Sequence, residues 1–227
     1  MSFDVIWENI GQYLHGALLT LELLFISLAA GLLLAVPLAV VRAGRGWGSR
    51  AVWAYTYVFR GTPMLVQLFL IYYGLAQFEW MRESAAWPLF SSAWFCASLS
   101  FVLNTAAYTT EIFAGSIRAL PKGEIEAARA MGMGPFTLLR RIVLPGALRR
   151  ALPAYSNEAI FMLHGTSLAS TVTLMDLTGA ARTINASNYI PFEAFITAAV
   201  FYLALTLALV GLFRQMEARW LNPMLQR

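Results

Sequence analysis

Three carboxylates, Glu22, Glu111 and Glu158, fall inside long apolar runs of this sequence. A charge at the centre of a membrane-buried helix costs roughly 2.5–3.5 kcal/mol on insertion scales, so such a group normally faces a cavity or a partner. The chemistry open to it is electrostatic: in a low-dielectric setting a carboxylate can receive a cation through charge-assisted hydrogen bonds. Glu158 is the best placed. It follows Asn157 and shares its run with Ser156, His164, Thr166 and Ser167. On a helix, residues 157, 161, 164 and 168 share one face and 158 lies beside it. Glu158 therefore reads either as a ligand for a cation or as a helix–helix hydrogen bond, and His164 as a packing or hydrogen-bonding group before a ligand. Glu111 stands among Asn104, Thr105, Tyr108, Thr109 and Thr110. Glu22 lies near one end of its run, within reach of lipid headgroups.

A second constellation is mechanical. Residues 126–145 read EAARAMGMGPFTLLRRIVLP. Pro121 can open a helix at its first position, where a missing N–H is no loss. Glu124 and Glu126 then sit in the first turns, where the helix dipole favours negative charge. Glu126 and Arg129 are spaced to pair on the surface, Ala127, Ala128 and Ala130 keep the helix thin, and Gly132 can end it in the left-handed conformation. Pro135 can start a second, basic helix with Phe136, Leu139, Val143 and Leu144 on its apolar side and Arg140 and Arg141 within reach of phosphates. A thin helix with one carboxylate suits insertion into a groove on another protein; the bland alternative is a solvated surface helix.

Enzyme chemistry is hard to place. The sequence has no G-x-x-x-x-G-K-[ST] phosphate loop, and its one lysine, Lys122, lies in LPKGE. Cys96 stands alone, so no internal disulfide or C-x-x-C site is possible. His15 and His164 are too far apart in the sequence to argue for a metal site, and no metal ligand set is expected.

The elements that position these residues follow from composition. Of 227 residues, 59% are hydrophobic and 12% charged, against about 45–50% apolar and about 25% charged in soluble domains. The expectation is an all-α integral membrane protein. Five runs are long enough to cross a bilayer, near residues 16–41, 61–78, 93–117, 151–173 and 192–213; residues 51–59 either extend the second or lie along the surface. Pro37 can kink the first run and Pro63 can start the second. Phe3, Ile6, Trp7, Ile10 and Leu14 recur at helical spacing, which suggests a short helix on the membrane surface. Asp4 and Glu8 stand where a cleavable signal needs positive charge. The aromatic set Tyr72, Tyr73, Phe78 and Trp80 reads as an interfacial belt.

Orientation follows from the basic residues. Arg42, Arg45, Arg50 and Arg60 lie in the first connection. Arg118, Lys122, Arg129, Arg140, Arg141, Arg149 and Arg150 lie in the third, and Arg214, Arg219 and Arg227 at the C-terminal end. Only Arg82 and Arg182 fall on the other side. This predicts an outside N-terminus and a cytoplasmic C-terminus, with residues 118–150 as a cytoplasmic loop in one transmembrane domain spanning 1–227. The net charge of +4 is dispersed over these loops and forms no patch for nucleic acid.

The pattern E-A-A-x3-G-x9-I-x-L-P, met here by Glu126, Ala127, Ala128, Gly132, Ile142, Leu144 and Pro145, resembles the cytoplasmic signature of permease subunits of ATP-binding-cassette (ABC) importers. YVFRGTPMLVQLFLIYYGL and NTAAYTTEIFAGSIRALPKGE resemble the polar amino acid branch. LPAYSNEAIFMLHGTSLASTVTLMDLTGAARTIN with PFEAF resembles permeases for histidine, lysine, arginine and ornithine. Many relatives carry a Lys-Asp pair before TSL, where this chain has His164-Gly165, a departure that favours the basic subgroup.

The resemblance implies a type I importer permease of the bacterial inner membrane. Glu126, Ala127, Ala128 and Gly132 would couple it to an ATPase, and Glu158, Asn157, Glu111 and His164 are the candidates for the substrate pathway. Glu111 matches a glutamate common to permeases of differing substrates, which favours a structural or gating role. The implied partners are a second permease, an ATPase dimer carrying ATP and magnesium, a periplasmic amino-acid-binding protein and the lipid bilayer; the chain itself would hold no cofactor. The alternatives are the same class for glutamine, glutamate or an opine-like compound, an ion-coupled secondary transporter, and a membrane enzyme. The absence of inverted repeats and of a catalytic constellation counts against the last two.

Overall fold

Proline and glycine set the breaks between helices in the computed structural model, which describes residues 3–220. Helix α1 (Phe3–Glu8) leads into the long α2 (Ile10–Ala43), which runs unbroken through Pro37. After Gly44 and Gly46 comes α3 (Trp47–Gly61). Thr62, which precedes Pro63, is held extended at φ −118° and ψ 145°. Helix α4 (Met64–Phe69) follows and passes through a π turn (Leu70–Gly74) and a 3₁₀ turn (Leu75–Gln77). The segments Trp47–Gly61 and Met64–Gln77 are bent by 103° at this break. Short helices α5 (Glu79–Arg82) and α6 (Trp87–Phe90) lead to α7 (Ala93–Arg118), capped by Ser92, whose hydroxyl accepts from the Phe95 N–H.

The segment that carries the E-A-A pattern comes next. Helix α8 (Lys122–Ala130) ends at Gly132, whose φ is +78°. The Met133 N–H donates to Ala128 O (3.1 Å) and the Gly132 N–H to Arg129 O (2.9 Å), a Schellman closure. Pro121 caps α8 from one residue outside it, and Pro135 opens α9 (Pro135–Leu138). A π turn (Leu139–Val143) joins α9 to α10 (Leu144–Gly165) without a break in the chain's helical course. Pro145 supplies the cause: its ring has no N–H for the carbonyl of Arg141, so the Leu144 N–H reaches back to Leu139 O instead. A 3₁₀ helix (Thr166–Val172), α11 (Leu177–Asn188) and α12 (Pro191–Trp220) complete the fold.

Helices α2 and α7 form the spine. Along α2 the residues Ser27, Gly31, Ala35 and Ala39 recur every four positions and are all buried. Small residues on one stripe let two helix backbones approach closely, which is how helices associate where no water is present to drive them together. A methyl built on Gly31 would lie 2.5 Å from Thr105 Cγ2 of α7. Around this pair Leu23, Leu24, Leu68, Phe101, Leu163, Val172 and Phe213 make the main core. A second cluster joins Ile6, Tyr13, Leu177, Ile184 and Ala194, with the Tyr13 hydroxyl donating to Ala194 O at 2.9 Å.

Among the described residues, α2 and α12 are by themselves long and apolar enough to cross a membrane, with mean hydropathy 2.6 and 2.3 over their best 18 residues; α3 and Met64–Gln77 pass only as a bent pair. Helices α7 and α10 lie where the third and fourth runs were expected but carry too many polar groups to pass the same measure. Several boundaries shift. Residues 51–59 belong to a separate helix that packs on α2 and α7 through Val52 and Thr56, because the Pro63 break ends any continuous second run. The fourth helix starts at Leu144 and gives way to 3₁₀ geometry at Thr166. The N-terminal segment is helical, but it is not a purely superficial element: Ile6 enters the second core cluster while Trp7 and Leu14 stay outside.

The approach of α2 to the loop before α11 gives a direct test. A methyl at Gly16 would stand 2.8 Å from the backbone oxygen of Asp176, whereas Gly11 has no neighbour within 4 Å. Gly16→Ala should lower the thermal unfolding midpoint of the detergent-solubilised chain, with a cost of about 1–3 kcal/mol from overpacking against backbone. Gly11→Ala should leave the midpoint unchanged or raise it. Equal midpoints for the two variants would contradict the packing.

Candidate translocation cavity and coupling segment

The bend between α3 and α4 is held by one side chain. Gln67 is buried, and its amide donates to Phe59 O (2.7 Å), Thr62 O (3.0 Å) and Thr62 Oγ1 (2.8 Å). It thereby satisfies carbonyls that the end of α3 leaves without helical partners. Its own oxygen accepts from Asn104 Nδ2 at 2.9 Å, which fixes Asn104 on α7. One turn on, Tyr108 donates to Arg60 O at 3.3 Å, and the Arg60 guanidinium stands 5.4 Å from the Tyr108 ring centroid, within cation–π range. Tyr55 reaches Leu103 O at 2.6 Å. The α3–α4 elbow is thus pinned to α7 at Leu103, Asn104 and Tyr108, over about two turns.

Beside the elbow lies a cavity of about 410 Å³, lined by Met64, Asn104, Tyr108, Glu158, Phe161 and Met162. Its size is within the range of small-molecule sites. Glu158 is only 7% exposed and forms no ion pair among the described residues. An unpaired carboxylate beside an amide, a phenol and apolar walls can receive a cation and orient the polar atoms attached to it. Asn104 and Tyr108, named in the sequence only as neighbours of Glu111, form the cavity's polar wall.

The other pathway candidates go elsewhere. Asn157 is exposed on the adjacent face of α10 and does not line this cavity. His164 is exposed, and its Nε2 lies 3.1 Å from Thr206 Oγ1 of α12, a hydrogen-bonding role across two helices. Glu111 points to a different place altogether. Arg42 Nε donates to its Oε1 at 2.7 Å, Thr56 Oγ1 donates to the same oxygen at 2.7 Å, and Arg118 Nη2 stands 3.9 Å from Oε2. This half-buried cluster ties the ends of α2, α3 and α7 together. Glu22 is exposed on α2.

Asp176 escaped the sequence reading because it lies between the apolar runs. It is fully buried and caps α11, accepting from the Thr178 N–H (3.3 Å) and the Gly179 N–H (3.0 Å); the Tyr202 hydroxyl donates to it at 3.2 Å. Burial pushes its carboxyl up to about 6 despite these donors. The legible signal was an Asp just before an apolar-periodic helix.

In the candidate coupling segment Glu126 and Ala127 are exposed on α8, with Met131 (71% exposed) and Phe136 (73%) beside them in the chain. Ala128 is turned inward at 2% exposure, and α8 packs on residues 135–143. Its methyl therefore serves close packing within the chain. Glu126 and Arg129 make no ion pair among the described residues, and Phe136 lies outside the apolar side expected of the second helix.

Comparison with known proteins agrees with this architecture. Residues 27–222 match the family described as binding-protein-dependent transport system inner membrane component. The chain is 50% identical over 221 residues to the histidine/lysine/arginine/ornithine transport system permease protein HisM of Salmonella typhimurium, covering 96% of this chain and 94% of the relative. It is 46% identical to the nopaline transport system permease protein NocM of Agrobacterium fabrum, covering 98% and 93%. Among solved structures, a chain of an amino acid ABC transporter crystallised with histidines superposes with a TM-score of 0.84 at 31% identity, over 96% of this chain and 99% of that one.

Proposed function

We infer the working role from one premise: the chain belongs to the family of binding-protein-dependent transport system inner membrane components. It is a permease subunit of an ABC importer, a multi-pass protein of the inner membrane. ATP hydrolysis is carried out by a separate ATPase subunit, and the permease works with that ATPase and with a binding protein.

Beyond that premise, we propose that the substrate is a basic amino acid such as arginine, ornithine, lysine or histidine. The observation that carries this is Glu158, a desolvated and unpaired carboxylate on the wall of the cavity. A cationic side chain entering there gains a charge-assisted partner that a neutral substrate lacks. The 50% identity to a permease named for histidine, lysine, arginine and ornithine supports the same reading. The 46% identity to a nopaline permease keeps an opine-like substrate as the second reading.

The proposed architecture is one transmembrane domain over residues 1–227 with five spans, an outside N-terminus and a cytoplasmic C-terminus. A second permease, identical or homologous, completes the pathway, and ATP and magnesium bind on the ATPase dimer. Glu126, Ala127 and Gly132 form the docking surface toward the ATPase, with Ala128 holding α8 close to residues 135–143. In the proposed cycle the loaded binding protein docks outside, ATP closes the ATPase dimer, and α8 moves with it. Because residues 135–143 continue into α10, that motion is delivered to the helix that bears Glu158. Substrate enters the outward-facing cavity and leaves to the cytoplasm after hydrolysis.

Three experiments test these statements. A phosphatase or fluorescent-protein reporter fused after Arg227 should report cytoplasm, and one inserted near Ser84 should report periplasm; a periplasmic C-terminus would mean an even number of spans. Glu126→Lys and Gly132→Asp should abolish transport while leaving the chain inserted. The first places a cation where a carboxylate docks, and the second adds a side chain at φ +78°, a local cost of roughly 1 kcal/mol or more. Normal transport in both variants would remove the coupling assignment. For the substrate, a charge-assisted contact is worth roughly 1.5–3 kcal/mol, so Glu158→Gln should cut arginine or ornithine uptake in proteoliposomes by about tenfold or more. Binding-protein-stimulated ATP hydrolysis should persist in that variant, whereas Glu111→Gln, which opens the α2–α3–α7 cluster, should impair uptake of any substrate. Wild-type arginine uptake by Glu158→Gln would overturn the cavity assignment, and loss of both uptake and hydrolysis would instead favour a helix-packing role.

A further inference from the structure

A larger groove of about 490 Å³ lies away from the Glu158 cavity, where α2, α7, α10 and α12 converge at the end that carries Arg42 and Arg118. Its walls are apolar, with Val36 from α2, Phe113 from α7 and Leu148 from α10. Its rim is cationic: Arg149 of α10 and Arg219 of α12 both line it, both are exposed, and neither makes an ion pair among the described residues. Glu217 is the acidic neighbour on α12, two residues from Arg219, and side chains two apart on a helix do not face each other. Trp220 completes the rim, the residue type that settles at the boundary between hydrocarbon and headgroups.

The axial placement is informative. Val36 lies six residues before Arg42 on α2, about 9 Å at 1.5 Å per residue. Phe113 lies five residues before Arg118 on α7. On α2 and α7 the apolar wall therefore sits just below the depth at which these helices carry their charges; on α10 Arg149 follows Leu148 directly beside that wall, and Arg219 lies in the last turn of α12. We propose that this groove binds an anionic phospholipid, its phosphate held between Arg149 and Arg219 and an acyl chain laid along Val36, Phe113 and Leu148. A guanidinium fork suits phosphate oxygens, and an apolar slot bordered by two cations without ion pairs among the described residues is complementary to a lipid and not to a free anion. The cytoplasmic leaflet as its source rests on the proposed C-in orientation; the binding itself does not.

The test uses the assembled importer in mild detergent, examined by native mass spectrometry with added phosphatidylglycerol or phosphatidylethanolamine. Phosphatidylglycerol should be retained selectively. The double variant Arg149→Gln with Arg219→Gln should weaken that retention by about tenfold or more, the scale expected for two basic residues near an anionic lipid surface. The charge-preserving double variant with lysine at both positions should retain more of it than the glutamine pair, and Arg214→Gln, on α12 but outside the groove, serves as the control for assembly. Equal retention of both lipids, or retention unchanged in the double glutamine variant, would overturn the proposal. Displacement of the lipid by inorganic phosphate alone would reassign the rim as a simple anion site. A chain ending at Trp220 that gains a lipid the full chain does not hold would assign the groove to residues 221–227. Because this readout involves neither substrate nor ATP, its failure leaves the transport reading standing, and the reverse holds as well.

Discussion

The close approach of α2 and α7 is the constraint on which the rest of this structure depends. Ser27, Gly31, Ala35 and Ala39 bring the two backbones together, and Gly31 leaves no room for a methyl against Thr105. In hydrocarbon no solvent drives helices together, so packing of this kind and buried polar bonds must hold them. The spine supplies both. At one end Glu111 gathers Arg42 and Thr56, closing α2, α3 and α7 into a single unit. At the other, Asp176 caps α11 and draws Tyr202 of α12 against the start of α2, where Thr20 accepts the Leu177 N–H.

With the spine set, the α3–α4 elbow has one place to go. The helix breaks at the Thr62-Pro63 pair, where Thr62 is extended, and the carbonyls left open are taken by Gln67, which in turn fixes Asn104. The cavity is the space this elbow leaves beside α7 and α10. Its polar wall is therefore built from residues that also hold the fold: Asn104 is bonded to Gln67 and Tyr108 to Arg60 O, so neither hydrogen-bonds Glu158. In the proposed function, that preorganisation leaves the carboxylate open to a cation from outside the chain.

The segment that carries the E-A-A pattern shows the same economy. A Schellman turn at Gly132, the inward Ala128 and the π turn enforced by Pro145 make a stiff path from the exposed face of α8 into α10. In the proposed cycle a displacement of α8 would reach Glu158 through packed helix and not through a slack loop. Pro153, inside α10, removes one further backbone bond on that path.

The sequence by itself determined the membrane class, the helical content, the breaks at Pro63, Gly132 and Pro135, and the E-A-A pattern that marks the family. These are local properties: apolar run length, a residue before proline, a glycine free to take positive φ. Tertiary structure decided which carboxylate does what. Glu111 and Glu158 look alike in the sequence, each in a polar-rich helix, yet one is claimed by Arg42, 69 positions away, and the other is left open in a cavity. Asn157 and His164, grouped with Glu158 by adjacency, do not line that cavity although Phe161 of the same face does, because packing partners and not helix periodicity decide which part of a face a cavity reaches. The inward turn of Ala128, the small-residue stripe on α2 and the Asp176 cap were visible as residues, but their roles exist only once distant helices meet.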